Sequence, residues 1–370
     1  MKIDKEISIL IDTLKSFFNS ENELEENIFD GINWQKMEKV LRYHSIRPIL
    51  LEQIKKQKID IPKDFLNRLV KYARYQAVAH LSNELELKEI QKEFALQKIT
   101  LAPFKRITYQ NQLYVDGLRE AGDIDLLINR IDLPKAFELF LNRGYIFTNQ
   151  LHCLNIKQLA LDLINAKGNY EIPLNKGLHH IDLHWDISYG FLPYNFPENF
   201  ILSLENEKDR IFWTMLNHHG AKEFWLKLKH LVNLGLFTRK YEEDMDCSTI
   251  LKNCQSFGTK TILLNGFYLL KQLFDFKLPP VIENALANHI YFGLKATIVY
   301  WNKAEYWEKP IPRILYEKIL LKSQDEGFNK LEYFRKFYNS YAVPNHIEPK
   351  RFINFPRSFK FLNFVSKVIS

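Results

Sequence analysis

The sequence predicts an α+β protein, a small mixed sheet flanked by N- and C-terminal helical units, on three observations. Apolar residues recur at three- and four-residue steps from Ile7 to Phe94. Between about Ile99 and Asp186 the pattern changes to short β-branched and Leu-rich runs separated by polar turns. The helical spacing then returns from Ile201 to about Asn339. The expected organisation is a helical unit over 1–95, a mixed core over 96–200, a second helical unit over 201–348, and a basic aromatic tail over 349–370. Several packed units are expected because 370 residues exceed what one hydrophobic core usually supports.

In the first unit Trp34, Met37, Leu41 and His44 share a helical face, as do Leu87, Ile90 and Phe94, while Pro48 and Pro62 mark helix starts or loops. In the core, Asp123 to Ile128, Tyr145 to Thr148 and His180 to Trp185 read as strands. A helix between the first two is bounded by Asp132 as N-cap, Pro134 in the first turn and Gly144 after the end, with Ala136, Phe137, Phe140 and Leu141 as its apolar stripe. Phe212, Met215 and Leu216, then Trp225, Leu228 and Val232, give the apolar faces of the second helical unit. The tail interleaves Lys350, Arg351, Arg357, Lys360 and Lys367 with Phe352, Phe355, Phe359, Phe361 and Phe364. It reads either as a segment packed on its own protein, the favoured reading, or as a strip for an anionic membrane or phosphate-rich partner.

Hydrophobic residues at 46% and charged residues at 26% describe a folded chain without long disordered regions. No run reaches about 18 apolar residues, and the mixed charges of Lys2, Asp4, Lys5 and Glu6 do not resemble a secretion signal, so a cytoplasmic protein with no transmembrane segment is expected. Cys153, Cys247 and Cys254 show neither a disulfide framework nor zinc-type spacing. The net charge of +7 suits phosphate-bearing ligands, but its spread along the chain does not single out nucleic acid.

The chemistry concentrates in Gly122-Asp123-Ile124-Asp125, which leads into the apolar run Leu126 to Ile128. Side chains alternate along a strand, so Asp123 and Asp125 share a face and repel unless a hard, oxygen-liganded cation such as magnesium lies between them. Asp244-Met245-Asp246 has the same spacing among acidic neighbours and reads as a solvated loop. A third carboxylate, Asp182, follows on a second strand-like run. Singly, each motif reads rather as a turn cap or strand-edge acid. Together, three carboxylates on adjacent strands are what two-metal phosphoryl transfer requires. His180 and His184 share the face of Asp182, which leaves a histidine–carboxylate zinc site as a minor alternative and makes His184 a candidate phosphate-side residue. Lys105, Arg106 and Arg119 precede the first pair and could neutralise a triphosphate. Asp125 is expected to contribute little to packing, so Asp125→Ala should spare the fold.

These residues resemble the uncharacterised nucleotidyltransferase family of bacteria, within the polymerase-β-like superfamily, through most of the chain. The resemblance rests on Trp34, His44 and Pro48, on Phe104-Lys105-Arg106 where the family shows Leu-Lys-Gly, and on Arg119 before Asp123 and Asp125. It continues through His179 or His180, Asp182, His184 and Trp185, and then His219-Gly220, Trp225, Leu228 and Lys229. Two departures stand out: Arg106 replaces the family's Gly, and Asn233 stands where an Asp is often found.

The resemblance implies a nucleotidyltransferase core of the polymerase-β type that transfers a nucleoside monophosphate from a nucleoside triphosphate such as ATP to an acceptor that the sequence does not name. It implies Asp123, Asp125 and Asp182 as catalytic, metal-binding residues, two Mg2+ ions with Mn2+ as a substitute, and Lys105, Arg106, Arg119 and His184 on the nucleotide. A catalytically silent nucleotide- or partner-binding module on the same fold is the competing expectation, supported by Arg106.

Overall fold

A computed structural model describes residues 3–115, 117–120, 122–147, 170–187 and 199–289, with isolated residues within 155–163, 194–197 and 297–362. The expected tail, apart from Leu362, lies outside the described residues, as does Cys153. The chain forms two compact units that interleave in sequence: Met1–His80, Tyr109–Ala121 and Met215–Glu326 make up one, and Leu81–Thr108, Gly122–Thr214 and Gly327–Ser370 the other.

Helices α1 (Lys5–Phe18), α2 (Trp34–His44), α3 (Arg47–Gln57) and α4 (Lys63–Leu96) open the chain. Pro48 sits in the first turn of α3, and the carbonyl of Pro62 accepts from the N–H groups of Phe65 and Leu66 as α4 begins. Both positions suit a residue with no N–H to contribute. The mixed region follows as β1 (Leu101–Phe104), α5 (Arg106–Leu113), β2 (Ile124–Ile128), α6 (Leu133–Asn142), β3 (Ile146–Phe147), β4 (Glu171–Lys176) and β5 (His179–His184). After it come α7 (Phe200–Ser203), α8 (Glu207–Met215), a π-helical stretch Leu216–Lys222, α9 (Leu228–Lys240), α10 (Cys247–Phe257), α11 (Lys260–Phe274) and α12 (Pro280–Ala287). No helix among the described residues is long and apolar enough to cross a membrane.

The protein is therefore α+β, as expected, with a five-stranded mixed sheet of order β1-β2-β5-β4-β3. Among the described strands only β2 and β5 run parallel; the other pairs are antiparallel. Strands β2, β3 and β5 fall on the three expected runs, whereas β1 and β4 were not anticipated individually. Asp132 stands at the N-cap of α6 but makes no side-chain capping bond, because Arg130–Asp132 already form a 3-10 turn. Gly144 ends α6 at φ +83°, a conformation that costs other residues more.

Alternation along the strands decides which face is apolar. Ile124, Leu126 and Ile128 of β2, Ile172 and Leu174 of β4, and Ile181 and Leu183 of β5 are buried with Leu87, Ile90 and Phe94 of α4 and Phe137 and Phe140 of α6. Each such side chain contributes about 1.5 to 3 kcal/mol by leaving water. Beside this core Glu86 accepts from Arg143 at 3.0 Å, Lys176 at 2.8 Å and the Tyr145 hydroxyl at 2.9 Å. Burial opposes its ionisation, but these donors prevail and hold its carboxyl down at about 2. With one face of the sheet closed by helices, polar residues of β2 and β5 are left to the other.

In the first unit Trp225 is the central packing residue. Its indole N–H donates to the carbonyl of Ile262 at 2.8 Å. A Cβ added at Gly220 or Gly266 would come within 2.9 Å of its ring, so both glycines are needed for close approach. His44 is fully buried, and its Nδ1 accepts the N–H of Leu228, the first residue of α9, at 3.0 Å. That side chain supplies the acceptor an exposed helix start would take from water.

Burial, with Lys227 and His230 nearby, pushes the His44 imidazole down to about 3, below the 6.5 of an exposed histidine. The unfolded chain therefore binds a proton that the folded chain refuses. Stability is full above pH 6.5 and falls as pH drops towards 3, by about 2 kcal/mol at pH 5 from this group alone. His44→Asn keeps an acceptor for Leu228 without the titration. Its denaturant midpoint is expected to fall less between pH 7.5 and pH 5 than that of wild type; parallel curves would contradict this role.

Candidate active site

Because β2 and β5 run parallel, their register sets Asp125 beside Asp182 and Leu127 beside His184. Asp123 directly precedes β2, two residues from Asp125. Ligand-type atoms of Asp123, His180 and Asp182 all lie within 4.8 Å of one another, and so do those of Asp125, Asp182 and His184. Asp182 belongs to both triads. The side chains of Asp125 and His184 are 4% and 0% exposed, against 24% for Asp182 and 30% for Asp123, so the site grades from a closed to an open end.

Two consecutive cations reach this cluster from the end of β1. Phe104 pairs with Asp125 across the sheet, and Lys105 follows in the left-handed conformation at φ +57°. That conformation costs a non-glycine residue about 1 to 2 kcal/mol. It accompanies an ammonium 3.0 Å from Asp125 Oδ1 and 3.2 Å from His184 Nε2. Arg106 opens α5 and donates from Nη1 to Asp123 Oδ2 at 2.5 Å. A Cβ at Gly122 would clash with that Nη1 and lie 2.8 Å from the Arg106 Cδ, so in this position the guanidinium lies over bare backbone. Arg106 itself has no positive φ among the described residues, so glycine is not required at that position for conformation.

Burial alone would raise the Asp125 carboxyl, but Lys105 and the hydrogen bond with His184 hold it far below the usual range. Burial and the Lys105 charge push His184 down to about 4, so it is neutral at pH 7. Asp182 goes the other way: burial, then the charges of Asp125, Asp123 and Glu171, raise it to about 6. The charges around it are thus mostly of its own sign, with His180 Nε2 at 3.3 Å the opposing group.

The expectation that Asp125 matters little to packing is corrected by this burial. Asp125→Ala leaves the Lys105 ammonium enclosed and without its carboxylate, a loss of about 3 kcal/mol. A lowered thermal midpoint checks this, and the double variant Lys105→Met/Asp125→Ala, which removes both charges, should recover much of the loss.

The donor set fits a divalent cation. Carboxylates dominate it, Asp125 Oδ2 is buried without a hydrogen-bond partner, and like charge accumulates around Asp182. His180 and His184 fall in different triads, so they do not jointly form the zinc arrangement considered from sequence. Glu171 is a site residue that sequence reasoning missed: β4 sets it opposite His184, with its Oε2 3.3 Å from His184 Nδ1. The other Asp-x-Asp, at Asp244 and Asp246, is an exposed turn as expected, and Asp246 caps α10 by accepting from the Thr249 N–H at 3.0 Å.

Arg119 and Asn233 belong to the first unit. Arg119 is buried with its guanidinium over the Tyr109 ring. Asn233 is buried too, accepting from the Tyr114 hydroxyl at 2.5 Å and lying 2.8 Å from His219 Nε2. An amide can serve a donor and an acceptor at once, as this bridge requires.

A family model described as an uncharacterised nucleotidyltransferase matches residues 30–275, which include every site residue named above. No curated protein and no solved structure matches the chain.

Proposed function

From the chain's membership of the uncharacterised nucleotidyltransferase family, to which it belongs across residues 30–275, we propose a metal-dependent enzyme that transfers a nucleoside monophosphate from a nucleoside triphosphate to a hydroxyl or phosphate acceptor. The acceptor is a small molecule, a peptide or a protein. The observation that carries the reading is the pairing of Asp125 with Asp182 across two parallel strands, with Asp123 beside them.

The acceptor oxygen attacks the α-phosphorus, the bond from that phosphorus to the bridging oxygen breaks, and pyrophosphate leaves. Asp182 takes the proton of an acceptor hydroxyl; in the metal-free site its carboxyl is raised by burial and by the charges of Asp125, Asp123 and Glu171. Magnesium, in two positions with manganese as a substitute, would be held by Asp123, Asp125 and Asp182 and would offset the negative charge that builds on the phosphates. Lys105 and Arg106 turn to the phosphates. His184, neutral, donates its Nε2–H to Asp125 and keeps that carboxylate oriented on the nucleotide side.

A second reading is favoured by the ion pairs of Lys105 and Arg106: a cluster that carries its own counter-ions could serve a silent nucleotide-binding module. Calorimetry of triphosphate binding in magnesium and in chelator separates the two. The enzyme needs the ion for tight binding, whereas equal affinity under both conditions, with no product formed, would establish the module.

A further inference from the structure

We propose that Lys105 and Arg106 are resident counter-ions of the acidic site, which suppress metal binding by the free protein and release their carboxylates when a metal–triphosphate complex arrives. The inference rests on the nucleotidyltransferase reading and adds an order of events to it. Two residues adjacent in sequence each hold one carboxylate of the Asp-x-Asp pair, Lys105 on Asp125 and Arg106 on Asp123. The same carboxylates belong to the triads able to hold a metal, so ammonium and guanidinium compete with it for their charge.

Both contacts are built rather than incidental. The Lys105 ammonium is enclosed, 6% exposed, at a left-handed turn, and is shared with His184. The Arg106 guanidinium rests on Gly122, where an added Cβ would push it aside. A free divalent ion would have to displace these charges or sit among them, and like charges at such distances repel strongly where water is scarce. A triphosphate removes that conflict. Its oxygens offer the lysine a point contact and the arginine a two-pronged one, so both side chains exchange carboxylate for phosphate as the ion enters.

The test is titration with Mn2+, followed by the paramagnetic resonance of the unbound ion, for wild type, Lys105→Met, Arg106→Gly and Gly122→Ala. Without nucleotide, wild type is expected to bind weakly and each variant at least about tenfold more tightly. Arg106→Gly and Gly122→Ala keep the buried Lys105–Asp125 pair and so remain informative if Lys105→Met fails to fold. With an α,β-methylene triphosphate, wild type should gain more affinity for Mn2+ than any variant does. Tight binding of free Mn2+ by wild type, equal to that of the variants, would overturn the counter-ion role and leave metal-dependent transfer standing. No Mn2+ binding by any of the proteins, with or without the analogue, would overturn both.

Discussion

Asp182→Asn is expected to abolish transfer and to stabilise the metal-free protein. Its carboxylate is the member common to both triads, so its loss removes a proton acceptor and a shared ligand at once. Turnover should fall at least about 10³-fold, the scale of losing a group that acts on developing charge. The opposite sign in stability follows from the neighbourhood: Asp123, Asp125 and Glu171 all bear on Asp182 with charge of its own sign. An amide of the same shape relieves that repulsion. In chelator at pH 7.5 the denaturant midpoint should rise, by about 1 kcal/mol in stability. A variant that loses activity because it is less stable would contradict the account, as would one that keeps its turnover.

Trp225→Ala is expected to give the largest loss of stability. The indole is 1% exposed, wedged against Gly220 and Gly266, and its N–H is bonded to Ile262. Truncation leaves a cavity whose walls are helical backbone and cannot collapse far, and it strands a buried carbonyl. A loss of about 4 kcal/mol follows. Trp225→Phe, which fills most of the space and lacks the N–H, should fall between the two in thermal denaturation. A shift for Trp225→Ala of less than about 1 kcal/mol would show that the residue is not the packing centre of its unit.

Proline accounts for much of what the sequence hid. Strands β2 and β5 were legible because an apolar run follows or surrounds each aspartate. Strands β1 and β4 carry Pro103 and Pro173, which argue against a strand when read locally. Both are tolerated by position: β1 is an edge strand, and Pro173 lies beyond the two residues of β4 that pair with the short β3. The hidden strands then hid their neighbours. Glu171 could not be tied to His184 without β4. The engagement of Lys105 depends on the antiparallel register of β1 with β2, which no local pattern encodes. Lys105 and Arg106 were recognisable as cations near the acids, but not as partners of one carboxylate each. The assignment of Asp125 to a site of little packing value failed for the same reason, since its burial is created by long-range pairing. The interleaving of the two units along the chain was equally out of reach, because periodicity reports elements and not which elements pack together.

In the proposed reaction the α-phosphorus is the atom attacked, and paired labels distinguish it from the γ-phosphorus. The protein is incubated with magnesium, a cell lysate as acceptor mixture, and each nucleoside triphosphate labelled in turn at the α- or the γ-phosphate, with Asp123→Ala as control. Transfer of the α-label to acceptor by wild type alone, with the γ-label appearing as pyrophosphate, is the predicted result and names the nucleotide used. Transfer of the γ-label to acceptor, or equal α-label transfer by Asp123→Ala, would contradict it.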